Sequence, residues 1–404
     1  MSNASVTERQ LRIDALRGLA VFGILLVNVW SFVWGFETLR YGVLPADATL
    51  ADILSVAFVA FFAEQKFYPI FAFLFGAGFA LVTQSTRRRT GGWGDAKRLY
   101  RRRLQWLLAC GVLHGTLIWF GDILTLYAIA GFWVLMGLVG ARLRTVTASL
   151  RNWALVFGLL LLTSFFLNLW LLNGNELQAQ GRAMFDSAQA SHLVYTQGTL
   201  AAIAWQRLND YVAVTMQSIL IVPHVAILFL LGVLAVRLRW LTQPERHQKL
   251  WRRVLAIGLL IGIPFNLMWA TMILGEAIDP LHPARLDYSL YSWLPVGGAS
   301  LAAAYVAAFM LAGDGVMRHL QRWLAPVGRM ALTNYLMQSL LCALLLQGAG
   351  FGLGAKLPPA GWLAIAGAIM LAQLFFSRWW LSHHRQGPVE YLHRRWIARD
   401  PAAQ

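Results

Sequence analysis

Charge is what this sequence is short of. Of its 404 residues only 13% are charged, while 58% are hydrophobic; a soluble domain needs about 25% charged residues to solvate its surface. A water-soluble globule is thereby excluded. Cysteine is nearly missing too. Cys110 and Cys342 both lie inside apolar runs, which leaves neither a disulfide framework nor a zinc site. Alternating ten-residue segments of the kind that build outer-membrane barrels are absent. So are a P-loop, a paired CxxC, HExxH and GxSxG. ATP-driven transport by this chain alone and serine hydrolysis are therefore not expected, and no metal site is.

What is present is a series of apolar runs near the roughly 20 residues that a helix needs to cross a hydrocarbon core of about 30 Å. Lipid offers the backbone no hydrogen-bond partner, so such runs must be helices. The expected fold is all-α, a polytopic bundle of ten spans with both termini cytoplasmic. The spans fall at 19–36, 67–83, 104–120, 123–140, 153–172, 211–236, 254–274, 293–312, 330–347 and 360–381. The first follows a basic start (Arg9, Arg12, Arg17) but is long for a signal sequence and carries Asn28 and two tryptophans. It reads as a retained anchor.

The net charge of +16 invites a nucleic-acid reading, but the basic residues are not gathered on one folded face. They sit in clusters between apolar runs and orient them. Lys and Arg number three in the N-terminus, eight in 84–103, three in 141–151, six in 237–253, three in 313–329 and five in 378–404. That is 28 of the 34, all on one side of a ten-span topology. The other side holds Arg40, Lys66, Arg182, Arg207, Arg285 and Lys356. Counting 50–62 as a further span would throw the 84–103 cluster outside, so it is read as an interfacial or re-entrant helix. One membrane domain results: residues 1–18 are a cytoplasmic N-terminus, 19–381 the bundle, with an outer amphipathic insertion at 173–210 lying over its mouth as a lid or as packing, and 382–404 a cytoplasmic tail.

Polar side chains within spans are costly and face partners or cavities. Asp14 precedes Arg17 by three residues, where the two can pair, and Arg17 shares a helix face with Asn28. An ion pair with an interhelical hydrogen bond, or a polar stripe able to meet an anionic ligand, would each use them so. Glu64 and Lys66 are expected at the outer membrane face, and Gly76-Ala77-Gly78 reads as close helix packing. His114 lies within the third span and Asp122 opens the fourth. A carboxylate beside a histidine can orient it as a general base; equally, Asp122 can cap its helix. His224, beside Pro223, reads as packing. Asn334 and Gln338, i and i+4 just inside Arg329, could line a cavity or join helices.

Several of these stretches are familiar together: Arg12-Ile13-Asp14-Ala15-Leu16-Arg17-Gly18 with Gly23-Ile24 and Asn28, Lys66-Phe67 with Leu74 to Gly78, and His114-Gly115 to Gly121-Asp122-Ile123-Leu124. To them are added Gly328-Arg329-Met330-Ala331-Leu332-Thr333-Asn334-Tyr335, Gln338, and Gly387-Pro388-Val389-Glu390. In this order, from end to end, the chain resembles the YeiB family of bacterial inner-membrane proteins, also described as domain-of-unknown-function family 418, whose activity is not generally established. Tyr391 departs from the Trp expected there. The Asp-x-x-Arg-Gly start and the Phe-Gly-x-Gly of the second span also look like those of transmembrane acyltransferases, among them heparan-alpha-glucosaminide N-acetyltransferase.

The resemblance implies a multi-pass protein of the bacterial inner membrane. By the acyltransferase likeness it would move an acyl group from a cytoplasmic acyl-CoA-type donor to an envelope glycan, lipid or small metabolite. His114 and Asp122 would then be catalytic, and Asp14, Arg17, Asn28, Lys66, Arg329, Asn334 and Gln338 would bind donor or substrate. Acyl-CoA would be a substrate, with no resident cofactor called for. The partners are the lipid bilayer and that small-molecule, lipid or glycan substrate, not nucleic acid; a homo-oligomer is left open. A transporter or exporter with the same polar residues along its route, helped by breaks at Pro223 and Pro264, is the competing reading.

Overall fold

The computed structural model describes residues 3–36, 42–171, 174–279, 289–312 and 315–398. Arg40, Arg285, Asn173 at the head of the insertion, and residues 1–2 and 399–404 lie outside the described residues. Every regular element described is a helix. They are α1 (Asn3–Trp34), α2 (Leu50–Phe62), α3 (Phe67–Thr90), α4 (Trp93–Leu117), α5 (Ile123–Ala130), α6 (Leu143–Leu171), α7 (Gly174–Gln197), α8 (Leu200–Ser218) and α9 (Val222–Arg237). There follow α10 (Gln248–Ile278), α11 (Leu294–Leu311), α12 (Val316–Arg329), α13 (Ala331–Leu346), α14 (Pro359–His383) and α15 (Pro388–Ala398).

The surface is what lipid requires. Trp170, Leu260, Leu155 and Leu159 are exposed at 79, 75, 66 and 66%, and no residue in the apolar part of α6 is fully buried. Such continuous apolar surface is not tolerated in water. The protein is a polytopic helical membrane protein. Among the described residues seven helical stretches are long and apolar enough to cross a bilayer, and the pair α12 and α13, bent by 79° at Met330, makes an eighth where the two count as one broken span. The other two expected spans differ. The fourth is the short apolar piece Ile123–Leu138, about 24 Å long at 1.5 Å per residue, in which α5 passes into a π turn and a 3-10 turn. The third is the inner part of α4, whose first half carries the basic cluster.

The helix α1 sits at the centre and packs against α3, α12, α13 and α14. Its contact with α12 is set by two glycines: a Cβ on Gly328 would fall 1.7 Å from the Asp14 carbonyl oxygen, and one on Gly18 would fall 2.2 Å from that of Leu324. Gly76 packs closely, as its size implies, with the backbone of α9 against it, whereas the space before Gly78 is open apart from the Arg103 guanidinium. Thr49 and Asp52 form a capping box at the start of α2, and the second oxygen of Asp52 accepts from Ala360 N at 3.0 Å, tying α2 to the first turn of α14. Glu64 and Lys66 are wholly buried within the protein. The α2–α3 turn is pressed against α11, where Gly298 leaves room for the Gln65 carbonyl, and the Lys66 ammonium donates to the Ala60 carbonyl at 2.8 Å.

Candidate functional site

The turn between α4 and α5 carries the most concentrated chemistry. Asp122 has extended backbone angles and caps α5, its Oδ2 accepting from Thr125 N at 2.7 Å and from the Thr125 hydroxyl at 2.9 Å. Its other oxygen, Oδ1, meets His114 Nδ1 at 2.9 Å. Capping and histidine contact coexist because a carboxylate has an oxygen for each. The pair is sealed: the side chains of His114 and Asp122 are 1% and 0% exposed.

Since a carboxylate only accepts, the proton of the contact sits on Nδ1 when the ring is neutral, and Nε2 keeps a bare lone pair. That Nε2 is buried and has no hydrogen-bond partner among the described residues. Beside it lie the Tyr335 ring at 5.0 Å and the Trp119 ring at 6.2 Å, and the Trp119 indole N–H is likewise buried and unpartnered. The Tyr335 hydroxyl approaches both Asp122 Oδ1, at 3.5 Å, and Ile123 N, at 3.4 Å.

Two glycines make this packing possible. A Cβ on Gly111 would stand 2.6 Å from Asp122 Oδ2 and from Thr125, so α5 can begin directly against α4. One on Gly115 would meet the Tyr211 ring at 2.1 Å; Tyr211 lies there and its hydroxyl pairs with that of Thr125 at 3.0 Å. Over the turn, Arg207 of α8 donates to the Thr116 and Ile118 carbonyls, each at 3.1 Å, and so closes the end of α4. Asp210 binds the Tyr195 hydroxyl at 2.6 Å and Gln206 at 2.9 Å, joining α7 to α8. The expected outer turn is therefore roofed by helices.

The remaining expected residues do other things. Asp14 and Arg17 pair at 2.9 Å across one turn. Asn28 is half-buried and makes no hydrogen bond among the described residues. Asn334 donates to the Val327 carbonyl and to Ser377, and Gln338 to Gln373, which in turn binds the Asn334 carbonyl. These side chains join α13 to α14. Arg329 donates to the Arg385 carbonyl at 3.1 Å. His224 binds the Tyr68 hydroxyl at 2.7 Å and stacks on Phe157. None of these contacts reaches the His114–Asp122 pair. Tyr335, Trp119, Thr125 and Tyr211 do surround it, and no spacing rule in the sequence singled them out.

Residues 235–400 match the model of a family described as protein of unknown function (DUF418). Over nearly its whole length the chain is similar to the uncharacterised protein YxaH of Bacillus subtilis, 32% identical across 95% of this chain and 92% of the relative. It is also similar to the uncharacterised protein YeiB of Escherichia coli, 30% identical across 97% of each. The chain belongs to the YeiB family. A further relative, an uncharacterised protein of Bacillus acidopullulyticus, is 27% identical across 98% of this chain. No solved structure matches.

The motifs by which the chain resembles the YeiB family meet in space. The last of them, Gly387-Pro388-Val389-Glu390, folds onto the start of α13. There Glu390 accepts from Leu332 N at 2.8 Å, Thr333 N at 3.1 Å and the Thr333 hydroxyl at 2.5 Å. One turn further along α13 stands Tyr335, which touches Asp122. The tail motif thus holds the start of the helix that carries Tyr335 to Asp122.

Proposed function

We propose that this YeiB-family protein is a membrane-embedded acyltransferase in which His114 is the general base. The observation that carries the reading is the buried His114–Asp122 pair with an unpartnered Nε2. An acceptor hydroxyl or amine placed at Nε2 would give up its proton there as it attacks the thioester carbonyl of an acyl-CoA-type donor. The bond from acceptor to acyl carbon forms, the carbon–sulfur bond breaks, and the imidazolium returns the proton to the departing thiolate. Asp122 holds the ring in the required tautomer and stabilises its cation. The unpartnered Trp119 N–H is a donor available to the carbonyl oxygen as charge builds on it.

The reading includes the ten-span topology with both ends in the cytoplasm and residence in the bacterial inner membrane, supported by the distribution of basic residues. Transport is less well supported. A broken span such as α12–α13 offers its half-helix N-terminus to an anionic substrate in many transporters, but here the Glu390 carboxylate already occupies that position.

Membranes containing the protein, given radiolabelled acetyl-CoA, are expected to pass label to lipid- or glycan-linked material. His114→Gln and Asp122→Asn should each cut the rate by about 10²–10⁴-fold while the protein remains folded. Equal transfer by His114→Gln, or solute uptake into vesicles with no transfer, would sink the proposal.

A further inference from the structure

At the basic end of α4 lies an arginine with nothing to hold. Arg103 makes no hydrogen bond and no ion pair among the described residues, and its Nε is fully sequestered. Arg103 is half-buried; arginine carries five donors and keeps its charge, and drawing a cation partly out of water without a partner costs free energy that a fold ordinarily avoids. Nearby groups add to the imbalance. Arg17 of α1 is close enough for its charge to act on Arg103. The one-turn neighbour Tyr100 is fully buried, with an unpartnered hydroxyl and its ring 6.0 Å from the guanidinium carbon. Asp14 is engaged by Arg17 at 2.9 Å and lies in the field of Arg329. No carboxylate meets Arg103.

There is also room. Gly78 of α3 is buried, yet a Cβ added to it would find a single group within 4 Å, the Arg103 guanidinium at 3.9 Å. Its neighbour Gly76 is jammed against the α9 backbone at 1.9 Å, so the open space before Gly78 is local. Open space beside an unpartnered cation suits an anion. A guanidinium binds phosphate oxygens in pairs, through two parallel N–H donors.

We propose that Arg103, Arg17 and Gly78 form a binding pocket for a phosphate group where α1, α3 and α4 meet. The pocket lies eleven residues along α4 from His114, about 16 Å at the helical rise, and it stands independently of the acyl-transfer reading. The phosphate could arrive on a soluble phosphate ester or on a lipid headgroup, and both present the same oxygens to Arg103.

The test uses the full chain in nanodiscs and reads its unfolding midpoint. One arm titrates coenzyme A into discs of phosphatidylcholine alone; the other compares those discs with discs containing phosphatidic acid. Stabilisation in the first arm assigns a soluble phosphate ester, and in the second alone a lipid. In whichever arm responds, Arg103→Gln should weaken binding roughly 10- to 150-fold, the range for a hydrogen-bonded charge, and Gly78→Val should do so by filling the space. Without ligand, Arg103→Gln should unfold no earlier than the wild type, because it removes a half-buried charge that no carboxylate meets. The proposal is overturned if neither arm stabilises the wild type, if both variants bind as tightly, or if Arg103→Gln alone lowers the unliganded midpoint. A transfer assay does not enter these outcomes, so the pocket and the role of His114 fail separately.

Discussion

His393 stands in the tail helix α15 with its ring 6.1 Å from that of Trp106 on α4. Burial, and next the charges of Arg103 and Arg394, hold its pKa down to about 3 from the ordinary 6.5. The docked tail therefore binds fewer protons than the undocked one between those values, so docking is complete above about pH 6.5 and weakens as the pH falls towards 3. Protection of α15 amides, corrected for the intrinsic pH dependence of exchange, should fall between pH 7.5 and pH 5, and His393→Gln should flatten that dependence. At this scale the sequence was informative where chemistry is local. The His114 and Asp122 pairing follows from eight positions spanning one tight turn, and Asp14 with Arg17 from one helical turn. Arg103 was invisible as an individual, because eight basic residues in one cluster argue only for orientation. Its setting depends on Gly78 and Arg17, which come from other helices. Asn334 and Gln338 illustrate the opposite: their spacing put them on one face, while Gln373 and Ser377, unsuspected, decide that the face is an interhelical seam.

Among the elements, α13 has the most demanding start. It follows a bend of 79°, and its first backbone N–H groups would be bare at membrane depth without Glu390. Glu390→Ala should lower stability by about 1–3 kcal/mol, since it strips a charged acceptor from donors that stay buried. Thermal unfolding in detergent would measure it, with Thr333→Ala giving a smaller loss. A variant as stable as the wild type would mean that the cap is idle. The sequence placed the boundary between a cytoplasmic piece and the ninth span at 329–330, where the bend is. It also contained the Gly-Pro-Val-Glu motif, but nothing in it joined two segments 57 residues apart.

For the whole molecule, the helical class and its membrane setting follow from composition and run length alone, because a chain this poor in charge has no other solvent. Length along the normal was less legible. Hydropathy measures how apolar a segment is, whereas α2, its turn and α3 together occupy the 41 residues Leu50–Thr90, and Ile123–Leu138 is short for a crossing. The proposed orientation makes a prediction at this scale. Reporter domains fused to either end should be active in the cytoplasm, and Gly198→Cys in the α7–α8 turn should react from outside with a membrane-impermeant maleimide. Labelling of that cysteine only after the cells are broken would reverse the topology.

The Glu390 cap also has a bearing on how the protein is made. Residue 390 emerges from the ribosome 58 residues after Leu332, so α13 enters the bilayer before its cap exists. Until the tail folds back, the α13 segment that carries Tyr335 has no fixed beginning. The beginning of α13 is therefore defined by a segment made after the helix itself.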